Sequence, residues 1–247
     1  MALTIFHLSD LHVGGSAIVG RGGIGISRAD FLKECAIPQL VKHARESLLC
    51  VFVITGDIVD DGKKEQMDLG RTVLSPLFNE FCVLPIPGNH DCGLNGMVAH
   101  RENLLKFCET FYRNSAIVFP IVTTFEGHTF IGLNSMEGED GGICRYFADG
   151  SLGEGQRKKI LEILGGIAPR PSPKKIIVYL HHHPFQYPDE QPGEILADWL
   201  GHELRDGNKF IRSIKNKVDI LLFGHEHRHL AWISTRGKRP NKSPWVR

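Results

Sequence analysis

The chain has 247 residues, of which 42% are hydrophobic, and its formal net charge is +1. This length and apolar content suffice for one large core, and no low-complexity linker divides the sequence, so we expect a single domain over residues 1–235. Six cysteines without close pairing, and the lack of a long apolar run, exclude a disulfide-stapled scaffold and a membrane-spanning segment and favour a cytoplasmic protein without membrane partners.

The basic residues concentrate at the carboxyl terminus. The last fourteen residues carry five basic and no acidic side chains, and the rest of the chain has 24 basic and 28 acidic residues. The chain without its last fourteen residues therefore lacks the broad positive surface of proteins that bind long nucleic acids, which argues against nucleic acid as a partner. Residues 236–247 are predicted to be a basic, disordered tail because they combine charge with Pro and Gly.

Five short apolar runs predict buried strands. Each run is rich in β-branched or aromatic residues and is bounded by Gly, Pro or charge, which is typical of strands covered on both faces. The runs are 3–8, 50–55, 81–86, 176–180 and 218–223.

Helical signals alternate with these strands. Ser27 and Asp30 resemble a capping box ahead of residues 28–48, a stretch that Pro38 should interrupt. Residues 117–134 instead predict three neighbouring short strands, with 117–119 as the first. Further helices are expected near 64–79, 98–112, 154–165 and 193–204. This order predicts a mixed α/β fold with βαβ units in its first ninety residues.

A glycine-rich stretch follows the first strand. Gly20, Gly22 and Gly25 have the spacing of a dinucleotide-binding loop. That fingerprint should follow its strand directly, whereas a polar segment and eight further residues intervene after Leu8. We therefore expect residues 14–25 to form a mobile loop beside a site, such as a substrate lid.

Polar segments stand at the carboxyl ends of the apolar runs. They are residues 10–12 (Asp-Leu-His), 56–60 (Gly-Asp-Ile-Val-Asp), 88–91 (Gly-Asn-His-Asp), 181–184 (His-His-His-Pro) and 224–227 (Gly-His-Glu-His). Open α/β sheets bind ligands in the crevice beyond these strand ends. Alternate side chains of an extended segment point the same way, so Asp10 with His12, and His225 with His227, can each reach one ion. Mixed oxygen and nitrogen ligands suit Mn, Fe, Zn, Co or Ni better than Ca.

Taken in this order, the segments resemble those of the calcineurin-like metallophosphoesterases, and the resemblance runs from residue 3 to His227. It implies a four-layer αββα sandwich with mixed β-sheets and two divalent metal ions at the carboxyl edge of the strands. The ligands implied for one ion are Asp10, His12, Asp57 and His227. The ligands implied for the other are Asp57, Asn89, His182 and His225, with Asp57 bridging.

The triple histidine leaves one of these ligands open, because His181, His182 and His183 can all bind metal. The ligand of the family resembles the histidine two positions before a proline, which here is His182 before Pro184. His181 and His183 would then alternate away from the ion.

A centre of this kind implies hydrolysis of a phosphate ester by a hydroxide that bridges the two ions. Two divalent ions, two carboxylates and a hydroxide leave one net positive charge to attract the phosphate. His90 is the candidate general acid for the leaving oxygen. Asp60 resembles the family residue that orients this histidine.

Departures from neighbouring subfamilies favour small phosphodiesters as substrates. Protein Ser/Thr phosphatases carry an arginine where this chain has Asp61 and a glutamate where it has Asp91, and purple acid phosphatases would have a tyrosine in place of Asp60. The segments are most similar to the cyclic-nucleotide and glycerophosphodiester branch. A phosphomonoesterase or nuclease using the same site, and a non-catalytic metal-binding scaffold, remain the alternatives.

Only twenty residues follow His227, whereas members of the family usually continue into further sheet strands. The sequence leaves open whether the carboxyl terminus is truncated, whether the sheet is reduced, or whether a second copy of the chain supplies a strand. In the last case the protein would be a homodimer.

Overall fold

The computed structural model describes residues 3–16, 18–21, 24–94, 98–137, 149–167, 174–185, 204–225, 227, 233–234 and 245–246. In chain order its strands are β1 (Thr4–Leu8), β2 (Ile18–Arg21), β3 (Ile24–Ser27), β4 (Cys50–Thr55), β5 (Cys82–Ile86), β6 (Gly93–Leu94), β7 (Val98–Ala99), β8 (Ile121–Phe125), β9 (His128–Gly132), β10 (Ile176–Tyr179), β11 (Ile220–Leu222), β12 (Ile233–Ser234) and β13 (Trp245–Val246). The α-helices are α1 (Arg28–Phe31), α2 (Ile37–Glu46), α3 (Lys64–Val73), α4 (Ser75–Glu80), α5 (Asn89–Cys92), α6 (Arg101–Tyr112), α7 (Gly153–Gly166) and α8 (Gly207–Ile214), and a π-helical segment spans Leu32–Ala36.

The first sheet is parallel and has the strand order β1-β4-β5. Its central strand β4 is covered on both faces, and its apolar residues Val51, Phe52, Val53 and Ile54 are all fully buried. The ring of Phe52 stacks on that of Phe6 in β1, with ring centroids 4.8 Å apart. All three strands therefore end at one edge of the sheet.

The second sheet is mixed and has the order β11-β10-β9-β8. Strand β10 runs parallel to both β9 and β11, and β8 pairs antiparallel with β9. The turn between β8 and β9 is Glu126-Gly127, and both residues have positive φ, as a two-residue hairpin turn requires. Strands β9, β10 and β11 thus bring a second set of carboxyl ends together.

The two sheets share one hydrophobic core. A Cβ added to Gly132 of β9 would lie 3.0 Å from a side-chain carbon of Ile86 in β5, so the sheets approach closely here. Helices cover the outer faces and contribute buried side chains such as Val41, Leu77 and Phe210 to the same core. The predicted αββα sandwich with mixed sheets is confirmed.

The five predicted strands are all present, each within two residues of its expected bounds. Ser27 caps α1 through its Oγ, which accepts a hydrogen bond from the Asp30 amide, as predicted. The helix that begins at residue 28 is interrupted by the π-helical segment, which ends directly before α2. Pro38 lies in the first turn of α2, where the missing N–H of a proline is tolerated.

Other local predictions differ from the structure. Residues 117–119 form no strand, and the expected loop over 14–25 contains the β2-β3 hairpin. Helix α8 was not predicted, and the helix predicted near 193–204 lies almost wholly outside the described residues. Within the predicted tail, Trp245–Val246 pairs antiparallel with Ile233–Ser234. Among the described residues, no helix is long and apolar enough to cross a membrane.

Candidate metal centre

The candidate ligands lie on segments that continue the parallel ladder past the ends of the strands. After β1 and β4, the amide of Asp10 donates to the Gly56 carbonyl at 3.2 Å, and the amide of His12 donates to the Asp57 carbonyl at 2.9 Å. Across the sheets, the amide of His225 donates to the carboxylate of Asp10 at 3.1 Å. Main-chain hydrogen bonds therefore bring residues far apart in sequence to one place.

The backbone of the site is strained. Eight described non-glycine residues have positive φ, and five of them are candidate ligands. These five are Asp10, His12, Asp57, His225 and His227. Asp and His tolerate this region better than most residues, yet each such conformation costs about 1 kcal/mol or more. Strain concentrated in this way is typical of functional sites.

A first cluster contains Asp10, His12 and His227. The Nε2 atoms of His12 and His227 are 3.1 Å apart, and His227 Nε2 is 3.5 Å from an oxygen of Asp10. Burial lowers the pKa of His12 to about 4, an effect that Asp57 only partly offsets, so this imidazole is neutral at physiological pH. Two imidazole nitrogens bound to one ion at about 2.1 Å would stand roughly 3.3 Å apart. The observed spacing fits shared coordination.

A second cluster is centred on His181. Its Nε2 lies 2.9 Å from Asn89 Oδ1, 3.1 Å from His225 Nδ1 and 3.3 Å from Asp57 Oδ2. Its Nδ1 is 2.7 Å from the carbonyl of Thr55, to which it donates. A second-sphere carbonyl of this kind fixes the tautomer of a metal-binding histidine and leaves Nε2 for the ion.

His182 belongs to the same cluster. It is buried beside His225, with ring centroids 4.5 Å apart, and its Nδ1 is 2.7 Å from the hydroxyl of Ser135. The three nitrogens that His181, His182 and His225 offer lie within 4.8 Å of one another, and His181 Nε2 also lies close to Asn89 and Asp57. The structure therefore brings the predicted ligand His182 to the cluster together with His181.

Asp57 lies between the two clusters. Its Oδ1 accepts a hydrogen bond from the His90 amide at 2.9 Å, while its Oδ2 is 3.3 Å from His181 Nε2 and 3.8 Å from His12 Nε2. Burial would raise the pKa of Asp57, but the neighbouring histidines, His181 above all, outweigh it and hold the pKa below its usual range. The carboxylate is therefore charged and faces both clusters.

His90 and Asp60 interact, but through an unexpected atom. His90 Nδ1 is 2.7 Å from the main-chain carbonyl of Asp60, not from its carboxylate. The carboxylate of Asp60 instead lies 3.3 Å from His12 Nδ1. The ring of His90 stands edge-on to that of His12, with centroids 4.5 Å apart, so His90 borders the first cluster.

Asp91 holds two of the ligand-bearing segments together. It is fully buried, and its two oxygens accept hydrogen bonds from the amides of Val59 at 3.0 Å and Gly88 at 2.9 Å. Burial, with the charge of Asp57, raises its pKa to about 7. Sequence reasoning did not find the supporting roles of the Thr55 carbonyl or of Ser135, because neither depends on a recognisable motif.

The donor set fits divalent transition metals. Carboxylate, amide and imidazole groups converge in two adjacent clusters, and such mixed ligands suit Mn, Fe, Zn, Co or Ni.

Known proteins resemble this chain at the level of family and fold. The sequence matches the family model described as calcineurin-like phosphoesterase over residues 3–229. One crystal structure superposes with a TM-score of 0.53 at 12% identity, covering 90% of this chain and 83% of that chain. A phosphopantetheinyl hydrolase from Mycobacterium tuberculosis has a TM-score of 0.43 at 15% identity, covering 91% of this chain and 83% of that chain. No curated protein matches the sequence.

Proposed function

We propose that this chain, which belongs to the calcineurin-like phosphoesterase family, hydrolyses small phosphodiesters at a centre of two divalent metal ions. Membership of the family supports metal-dependent hydrolysis of phosphate esters as the general activity. The position of Asp57 is the observation that carries the two-ion proposal. One of its two carboxylate oxygens, Oδ2, faces both His12 in the first cluster and His181 in the second. One carboxylate shared between two clusters is the arrangement that a bridged pair of ions needs.

The proposed ligands follow the two clusters. For the first ion they are Asp10, His12, Asp57 and His227. For the second ion they are Asp57, Asn89, His181 and His225. When bound, two such ions supply Lewis acidity and lower the pKa of an attacking water from about 15.7 towards about 7.

His90 is the proposed general acid. Its Nδ1 donates to the carbonyl of Asp60, which fixes the tautomer and the ring orientation. Its amide is held by Asp57, so the ring is positioned by the same carboxylate that joins the clusters. We expect His90 to act in its imidazolium form, which carries a proton on Nε2 as well as on Nδ1, and to deliver the Nε2 proton to the leaving oxygen of the ester. Such a role typically contributes about 100-fold or more to the rate.

The surroundings of Asp61 support a diester substrate. This residue stands where the protein phosphatases carry an arginine, and its carboxylate is buried with Lys63 Nζ 2.5 Å away. A fixed arginine would suit the two charges of a monoester through paired hydrogen bonds. A carboxylate whose charge is already balanced by Lys63 offers no such contact, which favours the singly charged diester.

The test compares bis(4-nitrophenyl) phosphate with 4-nitrophenyl phosphate on protein stripped by chelator and reconstituted with Mn²⁺. We expect a higher kcat/KM for the diester, no turnover without metal, and a loss of about 100-fold or more in His90→Ala. A matched control is His43→Ala, which removes an exposed surface histidine and should retain wild-type rates.

The other outcomes have distinct meanings. A preference for the monoester would make the protein a phosphatase with the same centre and would refute the diester assignment. Two bound ions per chain with no turnover on either ester would favour the binding-scaffold alternative.

A further inference from the structure

Asp60 presents two different groups to two different histidines. Its main-chain carbonyl lies 2.7 Å from His90 Nδ1 and accounts for the orientation of that ring without any help from the side chain. Its carboxylate lies 3.3 Å from His12 Nδ1. The family resemblance assigns the residue to His90 alone, so the side chain is left with a separate role.

His12 needs a hydrogen-bond acceptor at Nδ1. An imidazole that binds an ion through Nε2 carries its proton on Nδ1, and metal-binding histidines almost always donate that proton to a carboxylate, a carbonyl or a water. His12 Nε2 is the atom that faces His227, so Nδ1 is the atom that remains. Nδ1 is buried and makes no hydrogen bond to the described residues. The carboxylate of Asp60 is the acceptor within reach.

We infer that Asp60 is a positioning residue for the first metal ion, acting through His12. This inference rests on the metal centre proposed above. A small rotation of either side chain shortens the 3.3 Å contact to a hydrogen bond when His12 turns its lone pair to the ion. The carboxylate then fixes the ring and raises its basicity towards the metal.

The glycines after His12 confine this carboxylate. The amide of Gly15 donates to the His12 carbonyl at 3.1 Å, which folds the chain back over the site. A Cβ at Gly15 would lie 3.0 Å from both Cγ and Oδ1 of Asp60. The backbone of Gly15 therefore packs directly on the carboxylate of Asp60 and limits its rotation. This close packing explains why a glycine occupies position 15.

The experiment measures metal binding and not turnover. Chelator-treated protein is titrated with Mn²⁺, and the two dissociation constants are compared for wild type, Asp60→Ala and Asp60→Asn. Both variants keep the main-chain carbonyl that holds His90. We expect about 10-fold weaker binding of one ion in Asp60→Ala, at the low end of the usual range because the Asp60 side chain is 36% exposed to water.

Asp60→Asn distinguishes positioning from general damage, because its amide oxygen still accepts a hydrogen bond. It should recover part of the lost affinity. Asp68→Ala removes an exposed carboxylate and controls for the change in net charge. His43→Ala removes an exposed histidine and should bind both ions with wild-type affinity.

Two results would overturn the inference. If wild type binds two ions and Asp60→Ala binds both equally well, the carboxylate does not act through His12, and the proposed function is unaffected. If the wild-type protein binds no ion, the proposed function fails together with this inference.

Discussion

Metal binding at the second cluster should release a proton near neutral pH. In the metal-free protein, burial opposes charging of His181, but Asp57 outweighs it through its charge and hydrogen bond and raises the pKa of His181 from 6.5 to about 9. Its Nδ1 proton is engaged by the Thr55 carbonyl. The proton on Nε2, which faces Asn89 and His225, must therefore leave when an ion binds there.

The size of the effect follows from the pKa. Well below the pKa of His181, each pH unit of acidification costs the second ion a factor of about ten in apparent affinity. Because half of His181 is still protonated at about pH 9, binding there should be roughly 50-fold tighter than at about pH 7. His12, whose pKa is lowered to about 4, is already neutral in this range and adds nothing to the pH dependence.

Isothermal titration with Mn²⁺ in two buffers of different protonation enthalpy counts the protons released. We expect His181 to contribute about one proton per chain near pH 7, in addition to the proton that the attacking water loses, and this contribution of His181 should disappear above about pH 10. His181→Ala should lose both the second ion and this proton. A wild-type protein that binds two ions near pH 7 without releasing a proton would refute the reasoning, because His181 would then be neutral before the ion arrives.

Three further predictions concern stability and are checked by thermal unfolding of the metal-free protein. Because the pKa of His181 is raised in the folded protein, the stability that its charged form contributes is complete below about pH 6.5 and should be lost as the pH rises through about 9. A melting temperature that stays constant over that pH range would contradict this prediction. Asp91→Asn leaves only one oxygen to accept from the amides of Val59 and Gly88 and should lower the free energy of unfolding by about 1–3 kcal/mol. An unchanged melting temperature would show that these two hydrogen bonds do not stabilise the fold. Gly56 has φ +86°, and a Cβ added there would lie 2.7 Å from His181 Nδ1. Gly56→Ala should therefore lower the free energy of unfolding by about 1 kcal/mol or more and weaken the binding of the second ion. Wild-type metal affinity in that variant would contradict this close packing.

The sequence predicted the frame of the site well because that frame depends on local signals. Apolar runs determine where the strands begin and end, and the parallel topology brings their carboxyl ends together. Asp10 and His225 are more than two hundred residues apart, yet the position of each at a strand end sufficed to predict their proximity, which the hydrogen bond between them confirms.

The details that the sequence left open depend on contacts across the fold. The choice among the three histidines rested on the position of His182 two residues before Pro184, and that spacing carries no information on contacts between the sheets. The strand β10 ends at Tyr179, however, and the ring of His181 is held by the carbonyl of Thr55 in the other sheet. The atom of Asp60 that contacts His90 likewise depends on the path of the backbone. A sequence shows that Asp60 is present, but it does not show whether the carbonyl or the carboxylate of that residue meets the ring.

The energetics of the centre argue that bound metal is part of its structure. Five candidate ligands have left-handed backbone conformations, and the charged Asp57 is buried near Asp91. Each left-handed residue costs about 1–3 kcal/mol. An ion present at about 100 times its dissociation constant stabilises the folded chain by about 2.7 kcal/mol, which offsets one or two of these terms, and a second ion offsets a similar amount. The backbone geometry of the site is therefore unfavourable for the protein alone, and the proposed ions would offset part of that cost.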